Sequence, residues 1–65
     1  MKYNELFRLL KKEGWFEVRQ RGSHVIFQHP NRLEQLTVPF HSGKEVKKGL
    51  LVAILKQAKI NTTKR

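Results

Sequence analysis

Phe16-Glu17-Val18-Arg19-Gln20-Arg21-Gly22-Ser23-His24-Val25-Ile26-Phe27-Gln28-His29 is the stretch whose reading decides the fold. Two alternating segments stand on either side of a glycine. Alternation with a period of two is the signature of a half-buried strand, because successive side chains leave a strand on opposite faces. The first strand is expected over about 15–20, with Phe16 and Val18 on one face and Glu17 and Arg19 on the other. The second is expected over about 23–29, with Val25 and Phe27 inward and His24, Ile26 and Gln28 outward. Arg21-Gly22 interrupts the pattern, so the pair reads as a β-hairpin closed around Gly22. Pro30-Asn31-Arg32 supplies a second turn, and a third strand over about 33–39 points Leu36 and Val38 inward. Three antiparallel strands are the least that gives a stable sheet with one apolar face.

Outside this core the period changes. Tyr3, Leu6, Phe7 and Leu10 recur at helical spacing and predict a helix over about 4–12. Asn4 is its expected N-cap, Glu5 suits its positive end, Lys11 and Lys12 its negative end, and Gly14 its stop. Val46, Leu50, Leu51, Ile54, Leu55 and Ala58 trace a second apolar stripe, so a second helix is expected over about 47–59. The polar tail Asn61–Arg65 is expected to be frayed. Each helix has one apolar stripe and the sheet has one apolar face. The economical packing puts both helices on the same side of the sheet. The result is a single α+β domain over 1–65, in the order α-β-β-β-α, with the other sheet face open.

Charge is the strongest bulk signal. In 65 residues there are 14 Lys and Arg against five Glu and no Asp, for a net charge of +9. That excess favours a polyanionic partner: nucleic acid first, an acidic protein second, a membrane surface third. No run approaches the ~18 apolar residues of a membrane span, and Met1–Glu5 lacks the apolar stretch of a secretory signal. Cysteine is absent, which suits a reducing compartment. A soluble, cytoplasmic protein is expected.

The same composition narrows the chemistry. Hydrolytic metal sites need clustered His, Cys, Asp and Glu, and this chain has three His, five scattered Glu and neither Cys nor Asp. His24 and His29 lie five apart on one strand and should face opposite ways, so they do not form a preformed pair of ligands. Ser23 and His24 are adjacent, so their side chains diverge and no nucleophilic triad is legible. What is left is general acid–base chemistry by a histidine among cations. RNA suits such a site because it carries its own nucleophile: a base takes the 2′-hydroxyl proton, the oxygen attacks the adjacent phosphorus, and Lys or Arg stabilises the developing charge.

His24, directly after Arg19-Gln20-Arg21-Gly22, is the preferred candidate, and an exposed strand histidine without a role is its alternative. Lys44, Lys47 and Lys48 crowd the start of the second helix beside His41-Ser42-Gly43. Their charge opposes the helix dipole, a conflict that bound phosphate would relieve, and a solvated lysine run is the alternative. Trp15, Phe16 and Phe27 could stack on bases, but strand spacing assigns Phe16 and Phe27 to the core.

The separate signals converge on one family. Gly14-Trp15, Arg19-Gln20-Arg21-Gly22-Ser23-His24, His29-Pro30, Thr37-Val38-Pro39, His41, Gly43-Lys44-Glu45-Val46, Leu51 and Ile54-Leu55-Lys56-Gln57-Ala58 resemble the HicA messenger-RNA interferase toxins, in order along nearly the whole chain. The resemblance implies a fold like the double-stranded-RNA-binding domain. It implies endonucleolytic cleavage of messenger RNA without metal or cofactor, and His24 as the catalytic residue. It also implies a HicB antitoxin that covers the site in a hetero-oligomer. Arg19, Arg21, Gly22, Ser23, His41, Lys44, Lys47 and Lys48 are then the candidate RNA contacts. A non-enzymatic RNA-binding module of the same fold is the rival reading, and an adaptor for an acidic protein is a further one. Two positions depart from the family pattern: Lys59 stands where glycine is frequent, and Val52 where a polar or basic residue is.

Overall fold

A computed structural model describes residues 1–60, so the tail expected to be frayed lies outside the described residues. The order is α1 (Tyr3–Lys12), β1 (Phe16–Arg21), β2 (His24–His29), β3 (Arg32–Pro39) and α2 (Lys48–Gln57). The three strands form one antiparallel sheet in chain order, β1-β2-β3. Val25, Phe27, Leu36 and Val38 are buried and join a single cluster with Tyr3, Leu6, Phe7 and Leu10 of α1, Ile54 of α2, and Trp15, Val46 and Ala58. Both helices therefore cover the same sheet face. Phe7 meets Phe27 edge-on, ring centroids 5.0 Å apart, which suits the quadrupoles of the two rings.

The helix boundaries show where local chemistry was misjudged. Helix α1 begins at Tyr3, the first residue of its stripe and one before the expected start, and its N-cap is Lys2 rather than Asn4. The Lys2 amide donates to the Glu5 carboxylate at 2.7 Å, so the acidic residue three positions on satisfies the helix start. Asn4 is already inside the helix, and its side chain is engaged elsewhere. Helix α2 is shorter than expected, and Leu50 is 36% exposed rather than part of the buried stripe; Val52 is also exposed.

Both helices end by the same device. Trp15 N–H donates to the Leu10 carbonyl and Gly14 N–H to that of Lys11; Ile60 and Lys59 repeat the pattern onto Leu55 and Lys56. These crossed bonds satisfy carbonyls that a helix end leaves unpaired, and they need a left-handed residue at the centre. In α1 that residue is Gly14, at φ +101°. In α2 it is Lys59, at φ +58°, so the missing glycine does not abolish the stop but makes a lysine take the strained backbone.

Strand β1 departs most from simple alternation. Trp15, just before it, is 3% exposed and takes the core position, while Phe16 and Val18, both expected inward, are 47% and 43% exposed. The register explains the reversal. Phe16 pairs with Gln28 and Glu17 with Phe27, but the next pair is Arg19 with Ile26, so Val18 is an extra residue in a β-bulge. Glu17 consequently shares the helix side of the sheet with Phe27, and forms an ion pair with Lys11 of α1 at 3.0 Å. Beyond the bulge the facing agrees with expectation, with Arg19 on the open side.

His29 closes the far end of the sheet. Asn31 N–H donates to its Nδ1 at 3.0 Å, so Nε2 carries the ring proton and donates to the Glu13 carbonyl at 2.9 Å. The ring also meets Trp15 edge-on, centroids 5.2 Å apart. A Cβ on Gly14 would lie 2.6 Å from His29 Nε2, so glycine is required there both by backbone and by space.

Two stability outcomes follow from these caps. Gly14→Ala should destabilise the chain by about 2 kcal/mol or more, from the strained backbone and the clash together. Part of that loss should disappear in a His29→Ala background, since the imidazole is what the new methyl meets; urea unfolding of the four chains measures the coupling, and strictly additive losses would refute it. Lys59→Gly should instead stabilise by about 1 kcal/mol, read as a higher unfolding midpoint.

Candidate active site

Gly22 and Ser23 form the two-residue loop between Arg21 and His24. Gly22 has φ +60° and Ser23 is not left-handed, which puts the glycine first, where a type II′ hairpin turn needs it. A Cβ there would meet nothing within 4 Å, so the requirement is conformational alone. The Gln20 side-chain amide donates to the Gly22 carbonyl at 2.9 Å, and Phe40 N–H donates to that of Ser23 at 2.7 Å. The turn is thus held from β1 and from the segment leaving β3.

The register then places the side chains. Arg21, His24 and Pro39 lie abreast across the sheet, followed by Arg19, Ile26 and Thr37. Val25 and Phe27 point to the helices, so His24 and Ile26, which alternate with them, point to the open face together with their partners. His24, Arg19 and Arg21 are all exposed. Opposed residues sit about 5 Å apart at Cβ, which brings guanidinium groups within reach of anything that His24 touches. The neighbouring pair on this face, Phe16 with Gln28, adds no charge. An imidazole beside two exposed guanidinium groups, among paired residues without a carboxylate, can exchange protons with an anionic ligand and stabilise negative charge on it.

The remaining candidates follow one another along the chain after β3, starting from the end of the sheet that holds the turn. His41 follows Phe40, which is bonded to the turn. Its ring meets Tyr3 edge-on, centroids 5.3 Å apart, so it is turned toward α1. The loop it begins is clasped to the start of the chain. Gly43 N–H donates to Asn4 Oδ1 at 2.9 Å, Tyr3 N–H to the Lys44 carbonyl at 3.0 Å, and Val46 N–H to that of Met1 at 2.9 Å. The Met1 ammonium pairs with Glu45 at 3.1 Å. Lys47 is the N-cap of α2 and Lys48 its first residue; no side chain caps this helix, and its first turn holds no acidic residue. The structure therefore gathers Arg19, Arg21, Gly22, Ser23 and His24 on one hairpin, and holds His41 and Lys44 in a separate loop leading to Lys47 and Lys48.

Behind β1, on the helix side, a groove of about 400 Å³ is lined by Phe7, Val25 and Phe40 and by Asn4, Arg8, Lys11, Glu17 and Gln20. His24 is not among its lining residues. From the hairpin strands the groove takes Glu17, Gln20 and Val25, all on the helix side. Among the described residues no three His or Glu side chains are grouped as metal ligands would be. Sequence reasoning missed Phe16 on the open face. The adjacent pair Trp15-Phe16 was the available signal, since neighbours on an extended chain cannot both enter one core.

Comparison with known proteins adds one finding. Residues 3–60 match the family model described as the HicA toxin of bacterial toxin–antitoxin systems. A search of curated proteins returns no match.

The clasp generates its own test. Asn4→Ala removes the acceptor of the Gly43 amide and should cost about 1 kcal/mol, with Gly43 exchanging its proton faster and the sheet amides unaffected. Asn4→Asp keeps an acceptor and should retain protection. Unchanged exchange at Gly43 in the alanine variant would show that the loop is held by its backbone bonds alone.

Proposed function

The chain belongs to the HicA toxin family of bacterial toxin–antitoxin systems, and from that membership we propose that it is a metal-independent endoribonuclease that cuts messenger RNA with His24 as general acid–base. The observation that carries this reading is the position of His24: exposed, opposite Arg21, next to Arg19, on a sheet face whose paired residues include no carboxylate. The chain lacks Asp and Cys, so a reaction needing only an imidazole and cations suits it.

In the proposed reaction neutral His24 accepts the 2′-hydroxyl proton. The 2′-oxygen bonds to the adjacent phosphorus, and the bond from phosphorus to the 5′-oxygen of the next nucleotide breaks. Arg19 and Arg21 stabilise the negative charge that grows on the phosphoryl oxygens. The leaving 5′-oxygen takes a proton from water, so the products are a 2′,3′-cyclic phosphate and a 5′-hydroxyl, and His24 afterwards returns its proton to solvent. Lys44, Lys47, Lys48 and His41, in the loop after β3 and the start of α2, serve as phosphate contacts for flanking nucleotides. DNA, without the 2′-hydroxyl, is inert to this route.

As the toxin of a toxin–antitoxin pair the chain has an antitoxin partner. We propose that this partner is of the HicB type, that it covers His24 and the cationic hairpin, and that the complex resides in the cytoplasm with its messenger substrate. A non-enzymatic RNA-binding module is the second reading. It is favoured by one observation: among the described residues no hydrogen bond orients the His24 ring.

His24→Ala separates the two. It should lower cleavage by at least ~100-fold, the usual scale of acid–base catalysis, and end growth arrest. Stability should move by less than about 0.5 kcal/mol, because the side chain is outside the core. Cleavage by the parent chain should survive excess chelator. A variant that still cuts would remove His24 from the chemistry, and a parent chain that binds RNA without cutting it would establish the binding module.

A further inference from the structure

Phe16 is a large aromatic residue left 47% exposed on the same sheet face as His24. It lies three positions before Arg19, an odd step, so in a regular strand the two would face opposite ways. The extra residue at Val18 is what allows both onto one face. Gln28 stands directly across from Phe16, with a side-chain amide that both donates and accepts. Ile26 and Arg19 form the next pair toward His24. The open face therefore carries an aromatic ring at one end and an imidazole with two guanidinium groups at the other. Glu17, the nearest carboxylate in β1, is held on the helix side by Lys11.

We propose that Phe16 is a base-stacking platform and that the open sheet face takes a single-stranded stretch of RNA, from His24 at the hairpin end to Phe16. This rests on the reading of His24 as an RNA-cutting residue. The two points are four residues apart along β2, about 13 Å at the strand rise of 3.3 Å per residue. An unpaired base offers the face that a ring can stack on, whereas bases in a duplex are covered by their neighbours and the duplex presents backbone and shape instead. The Gln28 amide meets the edge of the stacked base, and Arg19 lies between ring and imidazole, where the connecting phosphates pass. Phe16 acts by holding the substrate in line and takes no part in proton transfer.

The test uses the full chain carrying His24→Ala, so that RNA stays intact, and a short labelled single-stranded RNA beside a duplex of the same sequence. Adding Phe16→Ala should weaken single-strand binding about fivefold or more, leave duplex binding within twofold, and leave thermal unfolding unchanged. Phe16→Trp should restore the affinity. Unchanged single-strand affinity in the alanine variant, or equal losses for single strand and duplex, would overturn the proposal. So would intact RNA binding with lost antitoxin binding, which would assign the ring to a protein interface. Cleavage assays keep the two readings apart. A parent chain that cuts RNA through His24 while Phe16→Ala changes nothing defeats the stacking platform alone, whereas cutting that persists in His24→Ala defeats the reading of the site.

Discussion

Phe27 sits without exposure at the centre of the sheet, edge-on against Phe7, and everything else in the molecule is arranged around that contact. Its burial fixes the phase of β2. Once Phe27 and Val25 face the helices, His24, Ile26 and Gln28 must face away, and the partner strands follow through their register. Both helices pack on the Phe27 side, and among the described residues no helix or strand packs on the other face. The same constraint that builds the core therefore leaves the opposite face clear. The proposed catalytic residue is one position away from the core along a single strand, so its aim is set by packing rather than by a dedicated support.

The charge distribution follows the same division. The carboxylates of Glu5, Glu17 and Glu45 are engaged with the start of α1, with Lys11 and with the Met1 ammonium. None of these lies on the open face beside His24. The paired residues of the open face carry Arg19 and Arg21 and no carboxylate, so part of the net charge of +9 stands unopposed there. Exposed ion pairs such as Lys11 with Glu17 add little stability. Their effect here is to keep negative charge on the helix side.

Most of the layout was legible because it rests on period and turn chemistry. The buried stripe of α1, the inward pairs Val25 with Phe27 and Leu36 with Val38, the turn at Gly22 and the stop at Gly14 all follow from local rules. The errors arise where a long-range partner decides. Asn4 has the right chemistry for an N-cap, but Gly43, far along the chain, takes its oxygen. Phe16 and Val18 alternate correctly, yet Trp15 fills the core and a bulge absorbs the extra residue. His29 was read only as facing away from His24, and its ties to Glu13, Asn31 and Trp15 left no local signal. At the site, the outward facing of His24 was readable from strand phase, while that of Phe16 was marked only by its adjacency to Trp15, because a bulge leaves no trace in a period-two pattern.

The clasp between the first residues and the loop after β3 also has a kinetic side. Both hairpins close short loops, and the sheet is complete in chain order by Pro39. The bond from Gly43 to Asn4 joins positions 39 apart, so it carries the larger loop-closure entropy. Local pairings form before distant ones in small domains. By that topology the loop that presents His41 and Lys44 bears a greater closure cost than the hairpin bearing His24, because its place is set by contacts with the opposite end of the chain.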